Sequence, residues 1–244
     1  MKLEPIGNGY SVWVDNVHTF GTDAILLADF AAPKKTDTAV DLCTGCGIIP
    51  MLWAKNQTVG KAYGVEIQPA AAGLFERTIA DNKLQSSAFA VNADLKELKG
   101  VLPFGEFDLI TCNPPYKAPG AGIKNADPAV IIARHEVACT LEDVIASAAK
   151  LLRFSGRLCL CHRPERLADI ICLMRQYKIE PKRLRLVAKQ VGNEPWLVLV
   201  EGRLGGKSGM RTEPMLYIEA DGDFSKEMKR IYGTYKYNDI SHEV

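Results

Sequence analysis

The stretch AVDLCTGCG, Ala39 to Gly47, decides the fold. Ala39–Cys43 reads as a short buried strand, and GIIPMLWAKN after it has helical spacing. Gly45 and Gly47 sit at the junction, where glycine lets the backbone turn tightly and approach a ligand closely. The spacing D-x-x-x-G-x-G from Asp41 differs from the dinucleotide pattern G-x-G-x-x-G. No P-loop lysine follows, which argues against a triphosphate site. Taken alone, the loop is equally readable as an ordinary strand-to-helix turn.

The same alternation extends outward. Ala62–Glu66 is a second strand, followed by a helix over Gln68–Asn82, a third strand at Ala88–Asn92 and a fourth at Phe107–Cys112. Leu141–Phe154 has helical spacing, and Arg157–His162 is a fifth strand. Pro164 then suits the first residue of a helix running to about Tyr177. This order predicts an α/β fold with a mostly parallel sheet and helices on both faces. Arg183–Lys189 and Trp196–Arg203 follow without an intervening helix, which suits an antiparallel pair at the sheet edge. Pro119–Pro128 and the basic stretch Gly202–Pro214 read as loops. Before the glycine loop, Tyr10–Val14 alternates as in a hairpin strand. Phe20–Phe30 (FGTDAILLADF) reads as a core-facing helix capped by Thr22 or Asp23.

One domain over residues 1–244 is expected: hairpin and helix to 38, core at 39–162, C-terminal elements from 163. Composition fits a globular protein, with 47% apolar and 24% charged residues. MKLEPIGNGY lacks the apolar region of a signal peptide, and no run reaches the ~20 apolar residues of a membrane span. A cytoplasmic protein, monomeric or homodimeric, is expected. Seven cysteines in a chain of this size do not suggest a disulfide framework. Cys43 and Cys46 have CxxC spacing but no second ligand pair, so no metal is expected. The net charge of +1 hides an asymmetry. Residues 1–149 carry 12 Lys and Arg against 17 Asp and Glu, whereas residues 150–244 carry 18 against 12. A basic C-terminal half admits a polyanionic partner.

Two acids stand at strand ends. Glu66 closes the second strand, where a carboxylate can accept bonds from both ribose hydroxyls of an adenosine. Asp94 follows the third strand and can meet the adenine amino group or cap a short helix. Together with the glycine loop they point to an adenosine-bearing ligand at the carboxyl ends of the strands.

The fourth strand runs into Asn113-Pro114-Pro115-Tyr116. The order D-x-x-x-G-x-G, strand-end Glu, strand-end Asp, N-P-P-Y resembles the amino-group methyltransferases that use S-adenosyl-L-methionine, over about Val40 to His162. The resemblance implies a Rossmann-like class I methyltransferase fold with a seven-stranded sheet. It implies a cofactor site drawn from Thr22, Asp41, Cys43, Gly45, Gly47, Glu66, Ile67, Asp94, Leu95 and Asn113. It also implies that the N-P-P-Y loop holds the nitrogen to be methylated. The chemistry agrees. An exocyclic amine on a base is a poor nucleophile, because its lone pair is delocalised into the ring. The Asn113 side-chain oxygen and the Pro114 carbonyl can each accept one N–H and aim that lone pair. Pro114 and Pro115 fix φ and hold the acceptors still, and Tyr116 offers a stacking face. No strong base is needed. A rigid proline turn with a core tyrosine is the plainer alternative.

FGTDAILLADF, ARHE (Ala133 to Glu136) and LVEGRLGGKSGM together are similar to the bacterial tRNA adenine-N6 methyltransferases, which modify the adenosine beside the anticodon of a valine tRNA. That resemblance spans about residues 18–218. It implies methyl transfer to the N6 amino group of an anticodon-loop adenine, with tRNA as partner. Lys117, Arg134 and His135 are candidate RNA contacts near N-P-P-Y. Arg183, Arg185, Lys189, Arg203, Lys207 and Arg211 can follow a phosphate backbone, or can be a solvated strand and loop. A base in an anticodon loop is already unpaired, so extruding it costs little. Other N-P-P-Y substrates are rRNA (guanine-N2 or adenine-N6) and a protein glutamine. About 38 residues precede the first core strand, too few for the helical domain that grips a protein substrate. A cofactor-binding RNA-binding module without catalysis is the non-enzyme alternative.

Overall fold

The computed structural model describes residues 1–114, 139–233 and 235. An N-terminal hairpin, β1 (Lys2–Gly7) and β2 (Tyr10–Val14), leads through a loop to α1 (Thr22–Ala31). The core then runs β3 (Thr38–Leu42), α2 (Ile48–Lys55), β4 (Lys61–Glu66), α3 (Pro69–Asp81), β5 (Ala88–Asn92), a 3-10 turn (Leu95–Glu97) and β6 (Phe107–Cys112). After residue 138 come α4 (Leu141–Leu151), β7 (Leu152–His162), α5 (Leu167–Gln176), β8 (Ile179–Ala188) and β9 (Pro195–Leu204). Four two-residue strands and a helix complete the described chain: β10 (Arg211–Thr212), β11 (Leu216–Tyr217), β12 (Glu219–Ala220), β13 (Asp223–Phe224) and α6 (Lys226–Tyr232).

The main sheet has the order β5-β4-β3-β6-β7-β9-β8, with β10 and β11 both pairing with β8. These two short strands make the sheet nine-stranded rather than seven-stranded. The pairs among β3 to β7 are parallel, and β9 is antiparallel to both β7 and β8. The expected antiparallel pair is therefore present. Its second member, β9, is inserted between β7 and β8, so only β8 lies outermost of the pair.

Alternation along each strand builds two cores. Ala39, Leu109, Cys159 and Cys161 face one side, where α1, α2, α3 and α6 pack. Val40, Leu42, Ile110, Leu158 and Leu160 face the other, against α4 and α5. Both faces of the parallel strands are thus buried, as parallel sheets require.

Three boundaries differ from the sequence reading. Helix α4 starts at a capping box in which the Thr140 hydroxyl accepts from the Asp143 N–H at 3.2 Å and Asp143 accepts from the Thr140 N–H at 2.9 Å. It ends at Leu151, because Leu152 already pairs with Phe107 on β6. Pro164 opens a 3-10 turn before α5. Helix α1 is capped by neither expected side chain: Gly21 is its N-cap, with no side-chain bond. The Asp23 carboxylate accepts only from the adjacent Ala24 N–H among the described residues.

Candidate active site

The chain order reverses beside β3: β4 and β5 lie on one side, β6 and β7 on the other. Loops leaving β3 and β6 therefore part in opposite directions and leave a crevice at the carboxyl ends of the strands. A cavity of about 370 Å³ occupies it, within the usual ~300–1,000 Å³ of small-molecule sites. Asp41, Cys43, Gly45, Glu66, Ile67, Asp94, Leu95, Asn113 and Pro114 all line it. Four separate strand ends bring these residues together.

The glycine loop is built by hydrogen bonds and by packing. The Thr44 N–H donates to the Val65 carbonyl at 3.0 Å, and the Gly45 N–H donates to the Glu66 carboxylate at 2.9 Å. Gly45 has φ 57° and lines the cavity. Gly47, at φ 81°, does not line it. A Cβ there would lie 2.0 Å from the Phe75 ring on α3. What the structure gives this expected cofactor residue is a packing role: it lets α2 and α3 pack closely behind the loop.

Glu66 is buried, at 6% exposure. Its second oxygen accepts from the Gln68 N–H at 2.9 Å. The carboxylate is thus fixed by two backbone donors on different segments, and each oxygen keeps a further lone pair for a ligand hydroxyl. Asn92 steadies the same corner, donating to the carbonyls of Glu66 and Ile67 at 2.8 and 3.2 Å. Ile67 stays 40% exposed, an apolar side chain offered to the cleft. Asp94 caps the 3-10 turn, accepting from the Lys96 N–H at 2.9 Å, and pairs with the Lys96 ammonium at 3.4 Å. Its capping role and its place on the cavity wall coexist.

Asp41 lies beneath the loop at 2% exposure. It accepts from the hydroxyls of Thr44 and Thr111, each at 2.7 Å. Burial pushes its carboxyl up to about 7. It ties β3 to β6 under the cavity floor.

Asn113 and Pro114 form the wall at the end of β6. The Asn113 amide oxygen accepts from the Cys161 thiol on β7 at 3.1 Å. Pro115, Tyr116, Lys117, Arg134 and His135, and the loop Pro119–Pro128, lie outside the described residues.

The CxxC pair does not form a thiolate site. Hydrogen bonding to Cys112, with burial, raises the Cys43 thiol well above its ordinary value. Burial pushes Cys46 up to about 12. Among the described residues no group of three His, Cys, Asp or Glu side chains can hold a metal ion.

Three further candidate residues have partners within the fold. The Thr22 hydroxyl stands 2.9 Å from the Tyr232 hydroxyl, tying α1 to α6 rather than facing the cavity. Arg183 is consumed by Glu201 at 2.7 Å and Glu213 at 2.9 Å. Arg185 forms two bonds of 2.7 Å to Glu227 on α6. Partly buried pairs of this kind hold the C-terminal elements onto the sheet, so both guanidinium charges are already matched by carboxylates. Lys207 is exposed, on a loop far from the cleft.

The cavity also contains residues the sequence reading missed. His18 and Phe20 reach it from the loop before α1, and Gln68, Cys139 and Arg163 complete its rim. His18 bridges Asp15 at 3.1 Å and Gln68 at 3.3 Å. No spacing marks these positions. The one available signal was that Phe20 opens FGTDAILLADF, a stretch already singled out.

Comparison with known proteins accords with this geometry. The family model described as methyltransferase small domain matches residues 11–171. The chain is 28% identical over 220 residues to the tRNA1(Val) (adenine(37)-N6)-methyltransferase of Porphyromonas gingivalis, covering 86% of each. It is 26% identical over 207 residues to the enzyme of that name from Aeromonas hydrophila, covering 84% of each. Among solved structures, a predicted O-methyltransferase from Agrobacterium tumefaciens aligns with a TM-score of 0.68 at 19% identity, over 87% of this chain and 96% of that one. The last likeness concerns the fold. Fold and comparisons together define a class I methyltransferase. The chain belongs to the methyltransferase small domain family.

Proposed function

We propose that this enzyme methylates the exocyclic N6 amino group of an adenine in tRNA, at an anticodon-loop adenosine. One observation carries the reading: the start of the N-P-P-Y motif and the glycine loop with its two strand-end acids line a single cavity. The substrate class follows from the relatives, which are tRNA1(Val) (adenine(37)-N6)-methyltransferases.

The residues present suit the cofactor. Glu66 would accept from the ribose hydroxyls with the lone pairs its backbone donors leave. Asp94 would meet the adenine amino group, with Ile67 and Leu95 as apolar neighbours of the ring. Bound there, S-adenosylmethionine supplies an electrophilic methyl group on a sulfonium that leaves without metal assistance. The chain's own task is to present the amine. Asn113 Oδ1, which also accepts from the Cys161 thiol, would take one N–H of the amine. The Pro114 carbonyl would take the second N–H. Both acceptors gain as positive charge develops on nitrogen, which lowers the barrier. The sulfur would depart as a neutral thioether and the methylated nitrogen would then release one proton to solvent, so transfer itself needs no general base.

The test is methyl transfer from labelled S-adenosylmethionine to total tRNA, total rRNA and a protein extract, with nucleoside mass spectrometry. N6-methyladenosine in tRNA is the expected product. Label confined to rRNA or protein would overturn the substrate assignment.

A further inference from the structure

The basic loop Gly202–Pro214 does not border the cleft. Strand β7 reaches the cleft by its far end, where Arg163 follows His162 and lines the cavity. The loop instead packs beside the start of β7, at Phe154 and Ser155. At about 3.3 Å per residue, the six steps from Arg157, where β7 resumes its register with β6, to Arg163 on the cavity wall separate the two ends by roughly 20 Å.

A second hollow of about 570 Å³ lies there, between the loop, β8 and the first residues of β7. Lys182, Arg203, Lys207 and Arg211 line it. The acid on its wall, Glu201, is held between Arg157 at 3.3 Å and Arg183 at 2.7 Å. Arg211 shares Glu213 with Arg183, at 3.0 and 2.9 Å. Lys182, Arg203 and Lys207 have no carboxylate partner among the described residues. The Lys182 ammonium donates to the Lys207 carbonyl at 3.0 Å, which pins the loop over the hollow.

Phe154 stands beside these cations at 74% exposure. Its ring rests against Gly205, where an added Cβ would lie 2.4 Å from the ring edge. The loop's close approach thus supports the ring from one side and leaves the rest in solvent. Unneutralised cations next to a presented aromatic ring match one ligand chemistry well, a phosphate backbone with an unpaired base.

We propose that this hollow is a second RNA contact: Lys182, Arg203 and Lys207 hold phosphates, and Phe154 stacks on a base, while the target nucleotide occupies the cleft. This rests on the tRNA reading above and deepens it. Since the two places lie at opposite ends of the sheet, only an RNA long enough to span them engages both. The site therefore distinguishes whole tRNA from a short stem-loop.

The experiment compares the parent with Arg203→Glu/Lys207→Glu and with Phe154→Ala, on whole tRNA and on a short anticodon stem-loop. Direct binding is read by fluorescence anisotropy across a salt series, and steady-state transfer is measured alongside. Charge reversal is expected to weaken whole-tRNA binding and raise its KM by about tenfold or more, and to flatten the salt dependence by about two phosphate contacts. Stem-loop KM and kcat should stay within twofold. Phe154→Ala should weaken whole-tRNA binding by a few-fold without changing the salt slope. Unchanged whole-tRNA affinity in all variants, or equal losses on both RNAs, would each overturn the proposal. If the parent methylates no tRNA, the functional reading fails. The binding arm then still judges the hollow, because it requires no transfer.

Discussion

The thiol of Cys161 donates to the side-chain oxygen of Asn113 at 3.1 Å, joining the end of β7 to the end of β6. Cys161 is fully buried on β7 and does not line the cavity. This bond would help fix which way the amide oxygen faces, so Cys161 is predicted to act through Asn113. Cys161→Ala is expected to lower kcat about three- to tenfold, with KM for RNA and cofactor affinity within twofold, since a thiol is a weak donor. Cys161→Ser restores a donor and should recover most of kcat. Asn113→Ala sets the scale, with a loss of about 10²–10³ in kcat. If Cys161→Ala lowers thermal stability and leaves kcat unchanged, the positioning role fails.

Glu66 is held by the N–H groups of Gly45 and Gln68, both at 2.9 Å. Glu66→Ala removes the proposed ribose acceptor and also releases the glycine loop. Calorimetric affinity for S-adenosylmethionine should drop by at least about tenfold, the scale of a charge-assisted hydrogen bond. Affinity within twofold of the parent would refute the assignment.

The two loop glycines should respond differently to alanine. Gly47→Ala puts a Cβ into the Phe75 ring at positive φ and should destabilise the fold by about 2–4 kcal/mol. A Cβ on Gly45 meets no atom within 4 Å, so Gly45→Ala should cost only about 1–2 kcal/mol of backbone strain. Its larger effect should be on cofactor affinity, because Gly45 lines the cavity. Urea denaturation and calorimetry separate the two; equal stability losses would contradict this division.

Two buried groups give the fold opposing pH dependences. Burial raises Asp41 from an ordinary 3.8 to about 7. Between those values the folded state holds a proton that the unfolded state has lost, so stability falls as pH rises. Burial, aided by Arg166 and Arg163, lowers His162 from 6.5 to about 4. There the unfolded state holds the extra proton, so stability rises with pH. The slopes oppose each other between about pH 4 and 6.5, each up to about 1.4 kcal/mol per pH unit. Asp41→Asn should remove the falling slope, so that stability in this window climbs with pH relative to the parent. Parallel stability–pH curves for the two proteins would show that Asp41 is not the titrating group.

Much of the fold was legible in the chain. The run AVDLCTGCG marked the first strand, turn and helix, and β5 and β6 fell at Ala88–Asn92 and Phe107–Cys112 as read. These succeeded because each is a short, largely apolar run bounded by turn residues. The end of α4 was less legible, since Leu152 and Phe154 suit a helix as well as a strand, and pairing with β6 decided between them. The strand-end acids were legible because a carboxylate after an apolar strand is chemically out of place. His18, Gln68 and Arg163 were not, because loops far apart in sequence carry them to the rim.

By itself, the sequence determined the order of elements and the residue types able to meet an adenosine and an amine. These are local properties of spacing and chemistry. Tertiary structure decided which cations are available. Arg183 and Arg185 read like Lys207 in one dimension, yet Glu201, Glu213 and Glu227 neutralise the first two. It also decided where the basic loop lies. Strand β9 runs antiparallel to β7, so the chain leaving it emerges at the end of the sheet opposite the cleft. Strand direction and charge pairing depend on contacts between distant segments, and only the folded chain makes those contacts.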